Sequence, residues 1–224
     1  MFLVTQNWRS RYPGAHAGIL ALRNVNNPAV HPALEAEKRA LEDRLRAQFA
    51  GQDPRALENF GPVPAYAAYY KAFKKTYHVH GQLASVIFGG RSIPSVAALV
   101  EAMFVAELKN GLLTAGHDLD LLQPPVKLDA AAGSEAYITL SGEPKTLKAG
   151  DMFIADQTGV ISSIIYGPDQ RTRISAETRS ALFTVYAPAG ISAASVQAHL
   201  EDLLNLARLF SPQAVTETRG VYGA

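Results

Sequence analysis

The hydrophobic pattern of the chain changes near residue 112, and this change restricts the fold more than any other feature. Before it, apolar residues recur at helical spacing over 30–51, 65–77 and 93–111. After it, short β-like runs alternate with turn residues: VKLDA, EAYITL, DMFIAD, GVISSIIYG and ALFTVYAP. A predicted strand at 14–25 precedes these segments, and a predicted helix at 191–210 follows them. The order predicts an α+β fold in which a central β structure is flanked by helices.

Composition limits the chemistry of the chain more than its fold. Among 224 residues there is no cysteine, which excludes disulfides, thiol catalysis and thiolate metal sites. The 21 Lys and Arg balance 20 Asp and Glu, so nucleic-acid binding would need a local basic patch. The first apolar run is too short for a signal peptide, and no run reaches the roughly 18 residues of a membrane span. We therefore expect a soluble, cytoplasmic protein that contacts no membrane.

The helix predicted at 65–77 carries two stripes. The aromatic stripe consists of Tyr66, Tyr70, Phe73 and Tyr77. The cationic stripe consists of Lys71, Lys74 and Lys75. Such a pairing suits RNA, because bases stack on aromatic rings and phosphates pair with cations. An ordinary amphipathic helix with buried aromatics and solvated lysines has the same pattern. The sequence leaves both interpretations open.

The helix predicted at 93–111 is strongly apolar and ends at Asn110–Gly111, a common C-terminal signal. Its predicted buried face consists of Val96, Leu99, Val100, Met103 and Phe104. Glu107 falls on the same face, where a carboxylate needs a partner or a cavity. The alternative is that the end of this helix emerges into water.

Two polar motifs could carry chemistry. The stretch LLTAGHDLDLL (112–122) holds His117, Asp118 and Asp120, which could share protons or simply brace a turn. His78 and His80 would share one side if they lay on a strand. A P-loop, a Rossmann glycine fingerprint, G-x-S-x-G and H-E-x-x-H are absent from the sequence. We predict no metal site and no cofactor.

The segment VEAMFVAELKNGLLTAGHDLDLL resembles a motif of the phenylalanyl-tRNA synthetase β chain. That family pattern, V-D-x-x-N, six residues, then G-Q-P-x-H-x-F-D-x-D, aligns without gaps and matches Val100, Gly111, Asp118 and Asp120. Three later segments, GSEAYITLSGE, LKAGDMFIADQTGV and IIYGPDQRTRISAETRSALF, resemble further motifs of the same region in the same order. Residues 66–188 are therefore similar to the editing domain of that chain, the B3/4 or tRNA-binding and editing domain, which also occurs as free-standing proteins.

The resemblance implies both a fold and a task. The implied fold is a three-layer α+β domain with a central β-sandwich-like mixed sheet flanked by helices, spanning 1–210, with 211–224 as a loosely held tail. The implied task is to accept the end of a mischarged tRNA and hydrolyse its aminoacyl ester. We expect tRNA or aminoacyl-tRNA as the partner and no DNA. A deacylase would be related to an aminoacyl-tRNA ligase without being one, and the sequence does not predict an oligomeric state.

Three pocket positions depart from the family pattern. Phe104 stands where the bacterial editing pocket has Asn, Ala115 where it has His, and Asp169 where it has Glu. His117 lies two residues beyond Ala115, on the same side if the segment is a strand. We expect His117 to bind a water or the terminal ribose and Asp169 to hold the substrate ammonium group. The candidate catalytic residues are His117, Asp169 and Glu107, and the candidate substrate-binding residues are Phe104, Ala115, Gly167 and Thr178.

Phosphate contacts would require cations near this pocket. The candidates are Arg171, Arg173, Arg179, Lys71, Lys74 and Lys75. The sequence leaves three functions open: a deacylase acting in trans, a binding module that keeps the pocket without the chemistry, and a domain whose helices dock on a partner. The first two require that the end of the 93–111 helix, the bend after it and the Gly167 turn line one hollow.

Overall fold

The structure is a computed structural model that describes residues 2–224. Its α-helices are α1 (Gln6–Arg11), α2 (Pro32–Gln48), α3 (Val63–Ala72), α4 (His78–Ile87), α5 (Ala98–Asn110) and α6 (Ala193–Phe210), with short 3-10 helices at Pro54–Asn59 and Leu119–Leu121. Its strands are β1 (Phe2–Val4), β2 (His16–Arg23), β3 (Thr114–Asp118), β4 (Val126–Ala130), β5 (Ala136–Ile138), β6 (Pro144–Thr146), β7 (Met152–Ala155), β8 (Val160–Ser163), β9 (Gly167–Pro168), β10 (Ser180–Ala187) and β11 (Val215–Gly223).

Two sheets form the centre of the molecule. A mixed sheet has the order β1-β4-β7-β8-β9, with β1 parallel to β4, and an antiparallel sheet has the order β11-β2-β10-β3. A hydrogen bond of 2.6 Å between Ser162 on β8 and the Tyr186 hydroxyl on β10 joins them through the core. Helices α5 and α6 cover the other face of the antiparallel sheet. The predicted α+β fold with a sandwich-like centre and a helical layer is confirmed.

Close packing between α6 and β2 depends on one glycine. A Cβ at Gly18 would lie 2.6 Å from a Val196 methyl carbon and 3.3 Å from a Leu200 methyl carbon. The missing side chain lets the helix lie directly on the strand, so Gly18, Val185 opposite it and the buried face of α6 form one continuous core. This packing places the middle of α6 behind β3.

Helix α2 follows the predicted apolar stripe, with Leu34, Leu41 and Leu45 buried. The same face also buries Lys38, whose ammonium group lies 2.9 Å from the Glu101 carboxylate of α5. A buried cation is tolerated here because a carboxylate partner replaces its water. This pair fixes α2 against α5.

Two predictions about the helices need correction. Val96 was expected on a buried face, but α5 begins at Ala98 and Val96 is exposed, because its N–H donates to Glu101 and caps the helix start. His78 and His80 lie in the first turn of α4, not on a strand. Residues two apart on a helix project in nearly opposite directions, so this pair does not share a face.

The C-terminal segment also differs from the prediction of a loosely held tail. Residues Val215–Gly223 form β11, which pairs antiparallel with β2 over its full length apart from one bulge at Thr216–Thr218. The backbone of β2 has a free edge that this strand covers, so tertiary pairing orders a segment with little apolar patterning of its own. Across residues 2–224, every helix is too short or too polar to cross a bilayer.

Candidate functional site

A cavity of about 210 Å³ opens at the edge of the antiparallel sheet. One wall comes from α5 through Met103, Phe104 and Glu107, and the floor comes from β3. Gly167, at the start of β9, closes the opposite side. The end of the predicted helix, the bend after it and the glycine turn thus line one hollow. We call this cavity the inner lobe.

A second hollow of about 460 Å³ adjoins the inner lobe. Both are bordered by His78, Gln82 and Phe104, and the second extends to Arg91. We call it the outer lobe, and the two lobes together the cleft. The wall of the inner lobe is mostly apolar, with few polar groups placed on it, which is the usual character of a small-molecule site.

Glu107 is the acidic residue that lines the inner lobe, and it is buried with 2% of its surface exposed. One carboxylate oxygen, Oε1, accepts a 2.7 Å hydrogen bond from the backbone N–H of Thr114. Burial raises the pKa of Glu107 to about 8, against the opposing effect of that hydrogen bond. The sequence left the position of Glu107 open, and the structure places it at the cavity and away from bulk water.

The free edge of β3 faces the same cavity. The N–H of Thr114 points away from β10 toward Glu107, and the N–H of Asp118 points away from β10 toward the Thr172 carbonyl at 2.7 Å. In an antiparallel pair every second residue points its N–H and C=O to the same side. Gly116, midway between them, therefore presents its backbone N–H and C=O on the cavity side.

The absence of a side chain at Gly116 also keeps the inner lobe open. A Cβ there would lie 2.8 Å from Ile174 Cδ1 and 3.4 Å from Met103 Sδ. Ile174 and Met103 both line the inner lobe. An alanine would therefore push side chains into the space that a ligand would occupy.

His117 and Asp169 belong to a hydrogen-bonded network outside the inner lobe. His117 Nδ1 lies 2.7 Å from Thr172 Oγ1, and that hydroxyl donates to Asp169. Asp169 also accepts from the Thr172 backbone N–H at 3.1 Å. Because the hydroxyl hydrogen goes to Asp169, His117 donates from Nδ1, and its Nε2 has no hydrogen-bond partner among the described residues.

Burial governs the charge of this network. It lowers the pKa of His117 to about 3, assisted by the nearby Arg171 cation, so the imidazole is neutral at physiological pH. Burial also raises the pKa of Asp169, in spite of the hydrogen bonds from Thr172. The structure therefore brings Glu107, Phe104, Ala115 and Gly167 together at the inner lobe and places His117 and Asp169 outside its wall.

Thr178 is likewise separated from the cavity. Its hydroxyl donates to Asp118 at 2.7 Å and accepts from the Ser175 N–H at 2.9 Å. Asp118 also accepts from the N–H of Asp120. Thr178 and Asp118 thus brace the turns on either side of β3, as short polar side chains do in Asx and ST turns.

The expected cations fall into two groups. Arg171 is paired with Asp156 at 2.9 and 3.0 Å, and Arg179 donates to carbonyls of its own loop. Arg173, by contrast, is exposed and lines the inner lobe. The lysines Lys71, Lys74 and Lys75 are exposed, but the helix predicted at 65–77 ends at Ala72, so only Lys71 lies on α3.

The aromatic stripe of α3 belongs to the core. Tyr66 donates to the Tyr186 carbonyl, and Tyr70 donates to the Ile164 carbonyl at 2.5 Å. Tyr66 and Tyr77 stack at 4.3 Å between ring centroids. Of the two readings of this helix, the structure supports buried aromatics beside solvated lysines. Lys75 lies 5.8 Å above the Tyr166 ring, so at least one of these lysines has an aromatic contact.

Several cleft residues escaped the sequence analysis: Thr114, Gly116, Arg91 and His78 in its helical position. Thr114 and Gly116 could have been found from alternation, since they share a strand face only two residues apart and follow Glu107. His78 is exposed at the mouth of the cleft, yet surrounding protein removes enough water to lower the pKa of its imidazole. In residues 2–224 no three His, Asp or Glu side chains gather as a metal site would require.

Comparison with known proteins identifies relatives. Residues 65–206, more than half of the chain, match the family model of the B3/4 domain. An N-terminal fragment of the phenylalanyl-tRNA synthetase β-subunit from Pyrococcus horikoshii has a similar fold, with a TM-score of 0.51 and 12% identity. The alignment covers 100% of this chain and 54% of the fragment, so the chain spans about half of that fragment's length. No curated protein matches the sequence.

Proposed function

The chain belongs to the B3/4 domain family, and from this premise we propose that it hydrolyses the ester of mischarged aminoacyl-tRNA in trans, within the cleft. The observation that carries the proposal is the buried Glu107 carboxylate, which is hydrogen-bonded to the free edge of β3 and lines an apolar cavity. Such a hydrolase would act in the cytoplasm, where charged tRNA is made. It would bind tRNA and cleave an ester without forming one, so it would be a hydrolase and not a ligase.

The two lobes suit the two parts of an aminoacylated adenosine. The inner lobe, about 210 Å³ and apolar, would receive the amino-acid side chain. The outer lobe, about 460 Å³, would receive the terminal adenosine, with Phe104 between them as a surface for the base. Arg91 and Arg173 at the rims would contact phosphates, which position a nucleic acid without reading its sequence.

Ester hydrolysis needs an attacking water, a base and donors to the carbonyl oxygen. Glu107 in its ionised form would accept the proton of the water through Oε2, since Oε1 is held by Thr114 N–H. The Gly116 N–H and the Thr114 hydroxyl would donate to the developing oxyanion. Glu107 would then return the proton to the departing ribose oxygen. A base with a pKa of about 8 is close to the operating pH, where general-base catalysis is most effective.

The test is deacylation of a panel of mischarged tRNAs by the purified full chain. We expect release of at least one amino acid, and Glu107→Gln should lower the rate about 100-fold or more. Glu58→Gln is the matched control, because Glu58 is an exposed glutamate that does not line the cleft. A complete panel left intact by the wild type, or equal rates for Glu107→Gln and Glu58→Gln, would contradict the proposal.

A second function, binding without cleavage, is favoured by one observation. The imidazole and carboxylate that sequence comparison suggested, His117 and Asp169, bond to Thr172 instead of facing the cavity. A cleft with fewer reactive groups could hold an aminoacyl end and leave its ester intact. Calorimetry with a non-hydrolysable analogue, an amino acid joined through an amide to 3′-amino-3′-deoxyadenosine, separates the two functions. Binding of the analogue together with intact mischarged tRNA would establish the second.

A further inference from the structure

A row of hydrogen-bonded polar groups runs from the exposed Lys109 to the buried His199 and Thr114 and links α6, the end of α5 and β3. His199 of α6 has no exposed surface. Its Nε2 lies 2.8 Å from the Thr114 hydroxyl, and its Nδ1 lies 3.2 Å from Asn110 Nδ2. Asn110 Nδ2 also donates to Asp202 at 2.9 Å, and Lys109 donates to the other Asp202 oxygen at 2.7 Å.

The donor and acceptor of each hydrogen bond in this row of polar groups can be assigned, starting from Asp202. The Asp202 carboxylate only accepts, so the amide nitrogen of Asn110, and not its oxygen, must face it. That nitrogen carries two hydrogens and cannot accept. His199 Nδ1 must therefore be the acceptor, and its ring hydrogen must be on Nε2.

This assignment determines what the Thr114 hydroxyl can do. It accepts from His199 Nε2–H, so its own hydrogen is left to donate elsewhere. Its other contact within the described residues, to the Leu112 carbonyl, is long at 3.4 Å. Thr114 lines the inner lobe beside Glu107. A ligand acceptor in the cavity would therefore compete only with this long contact for the hydroxyl hydrogen.

We propose that His199, held by Asn110 and Asp202, is a positioning residue that makes the Thr114 hydroxyl a hydrogen-bond donor to the carbonyl oxygen of the bound aminoacyl group. The inference deepens the proposed function and rests on it for the identity of the ligand. The hydrogen-bond directions do not depend on the proposed function, because they follow from the protein alone.

The surroundings keep His199 in the required state. Burial lowers the pKa of His199 to about 4; Asp202 opposes this effect and Lys109 adds to it. The ring is therefore neutral across the physiological range. A neutral ring with Nδ1 accepting has one donor, and that donor is aimed at Thr114. The arrangement is preorganised before any ligand enters, which is what donors to an oxyanion require.

The first experiment measures the tautomer of His199 by ¹⁵N chemical shifts in the full-length wild type. We expect the Nε2–H form from pH 5.5 to 8.5. A matched swap, Asn110→Asp with Asp202→Asn, keeps the net charge and reverses the outer bonds. It should move the hydrogen to Nδ1, so that Nε2 accepts from Thr114 and withdraws its hydrogen from the cavity. An Nδ1–H ring in the wild type would overturn the inference.

The second experiment reads the consequence for the ligand. Thr114→Val should lower kcat for deacylation about 100-fold, the size expected for one lost oxyanion donor, with KM nearly unchanged. Thr114→Ser should retain most of the wild-type kcat. The swap should have the same kcat as Thr114→Val and should melt near the wild-type temperature. Unchanged kcat in the swap would overturn the inference.

The two proposals fail in different ways. If the wild type releases no amino acid, the hydrolase proposal is lost, and the same variants are then measured for binding of the amide analogue. Weaker binding by both Thr114→Val and the swap supports the donor role, whereas wild-type affinity in the swap overturns it. Thr114→Ser, which retains the hydroxyl, guards against attributing a packing defect to the lost hydrogen bond.

Discussion

Two polar clusters flank β3, and they differ in what their hydrogen bonds leave free. Between the two sheets, His117 and Asp169 are joined through the Thr172 side chain, and the atom of His117 left without a partner, Nε2, is buried. On the helical side, Glu107 is held by the Thr114 N–H and the Thr114 hydroxyl by His199, and both residues line the inner lobe. Buried polar residues alone therefore do not identify a ligand site. A ligand site also needs a polar group that is fixed in position and has hydrogen-bonding capacity left for a ligand in an open cavity.

The largest difference between the two clusters is expected at Glu107. Glu107→Gln keeps the shape of the side chain and removes its proton affinity, so we expect deacylation to fall about 100-fold or more while the protein remains folded. His117→Asn, made in the other cluster, should leave the rate per folded molecule within about twofold of the wild type. Initial rates on one mischarged tRNA decide between them; a larger loss for His117→Asn would reverse the roles of the clusters.

The two clusters should respond oppositely to pH. The pKa of Glu107 is raised from 4.5 to about 8, so between these values the folded state keeps a proton that the unfolded state has lost. Its contribution to stability is therefore lost as pH rises through this window. The pKa of His117 is lowered from 6.5 to about 3, so its contribution is lost as pH falls below 6.5.

Urea unfolding at pH 5, 6.5 and 8 measures this prediction. One unit of pKa difference corresponds to about 1.4 kcal/mol, so the Glu107 contribution across its window should reach several kcal/mol. Glu107→Gln should show a smaller loss of stability than the wild type between pH 5 and 8. Parallel curves for the two proteins would mean that Glu107 is not buried in the way described.

Thr172→Val tests whether the cluster of His117 and Asp169 is structural. The substitution keeps the volume but removes the hydroxyl shared by His117 and Asp169. Leaving these buried groups unpaired should cost about 1–3 kcal/mol of unfolding free energy. Chemical denaturation gives the value, and the deacylation rate of the folded fraction should stay within about twofold. An unchanged free energy of unfolding would show that the Thr172 hydroxyl does not stabilise His117 and Asp169.

The smallest effects should come from the arginines. Arg173 lines the inner lobe, whereas Arg171 is paired with the buried Asp156. Arg173→Ala should weaken tRNA binding several-fold and reduce its salt dependence by about one unit of log slope. Arg171→Ala should lower the melting temperature with little change in affinity. Equal losses of tRNA affinity in both variants would remove the distinction.

Sequence patterns predicted the fold well where a segment is buried on one consistent side. The stripe of Leu34, Leu41 and Leu45 and the apolar run of β2 are examples, and both lie where predicted. Segment Val215–Gly223 was missed because its order comes from pairing with β2 and not from its own residues. His78 was misplaced because a short run with alternating histidines does not separate strand from helix.

The sequence suggested which segments line the site, but not which side chains of those segments reach the cavity. Glu107, Phe104 and the Gly167 turn, which the sequence suggested as neighbours, all line the inner lobe. Alternation places Ala115 and His117 on one side of β3, but only Ala115 reaches the cavity. Which end of a strand meets a cavity depends on the packing of α5 and β9 around it, and no local pattern encodes that. The role of His199 depends on contacts with residues 85 and 89 positions away along the chain.

The most direct test of the central claim is a crystal structure of the full chain with the amide-linked aminoacyl adenosine analogue. We predict its side chain in the inner lobe, its carbonyl oxygen within hydrogen-bond distance of Gly116 N and Thr114 Oγ1, and its adenine in the outer lobe beside Phe104. An analogue bound elsewhere with the cleft empty, or one held by His117 and Asp169, would contradict the account.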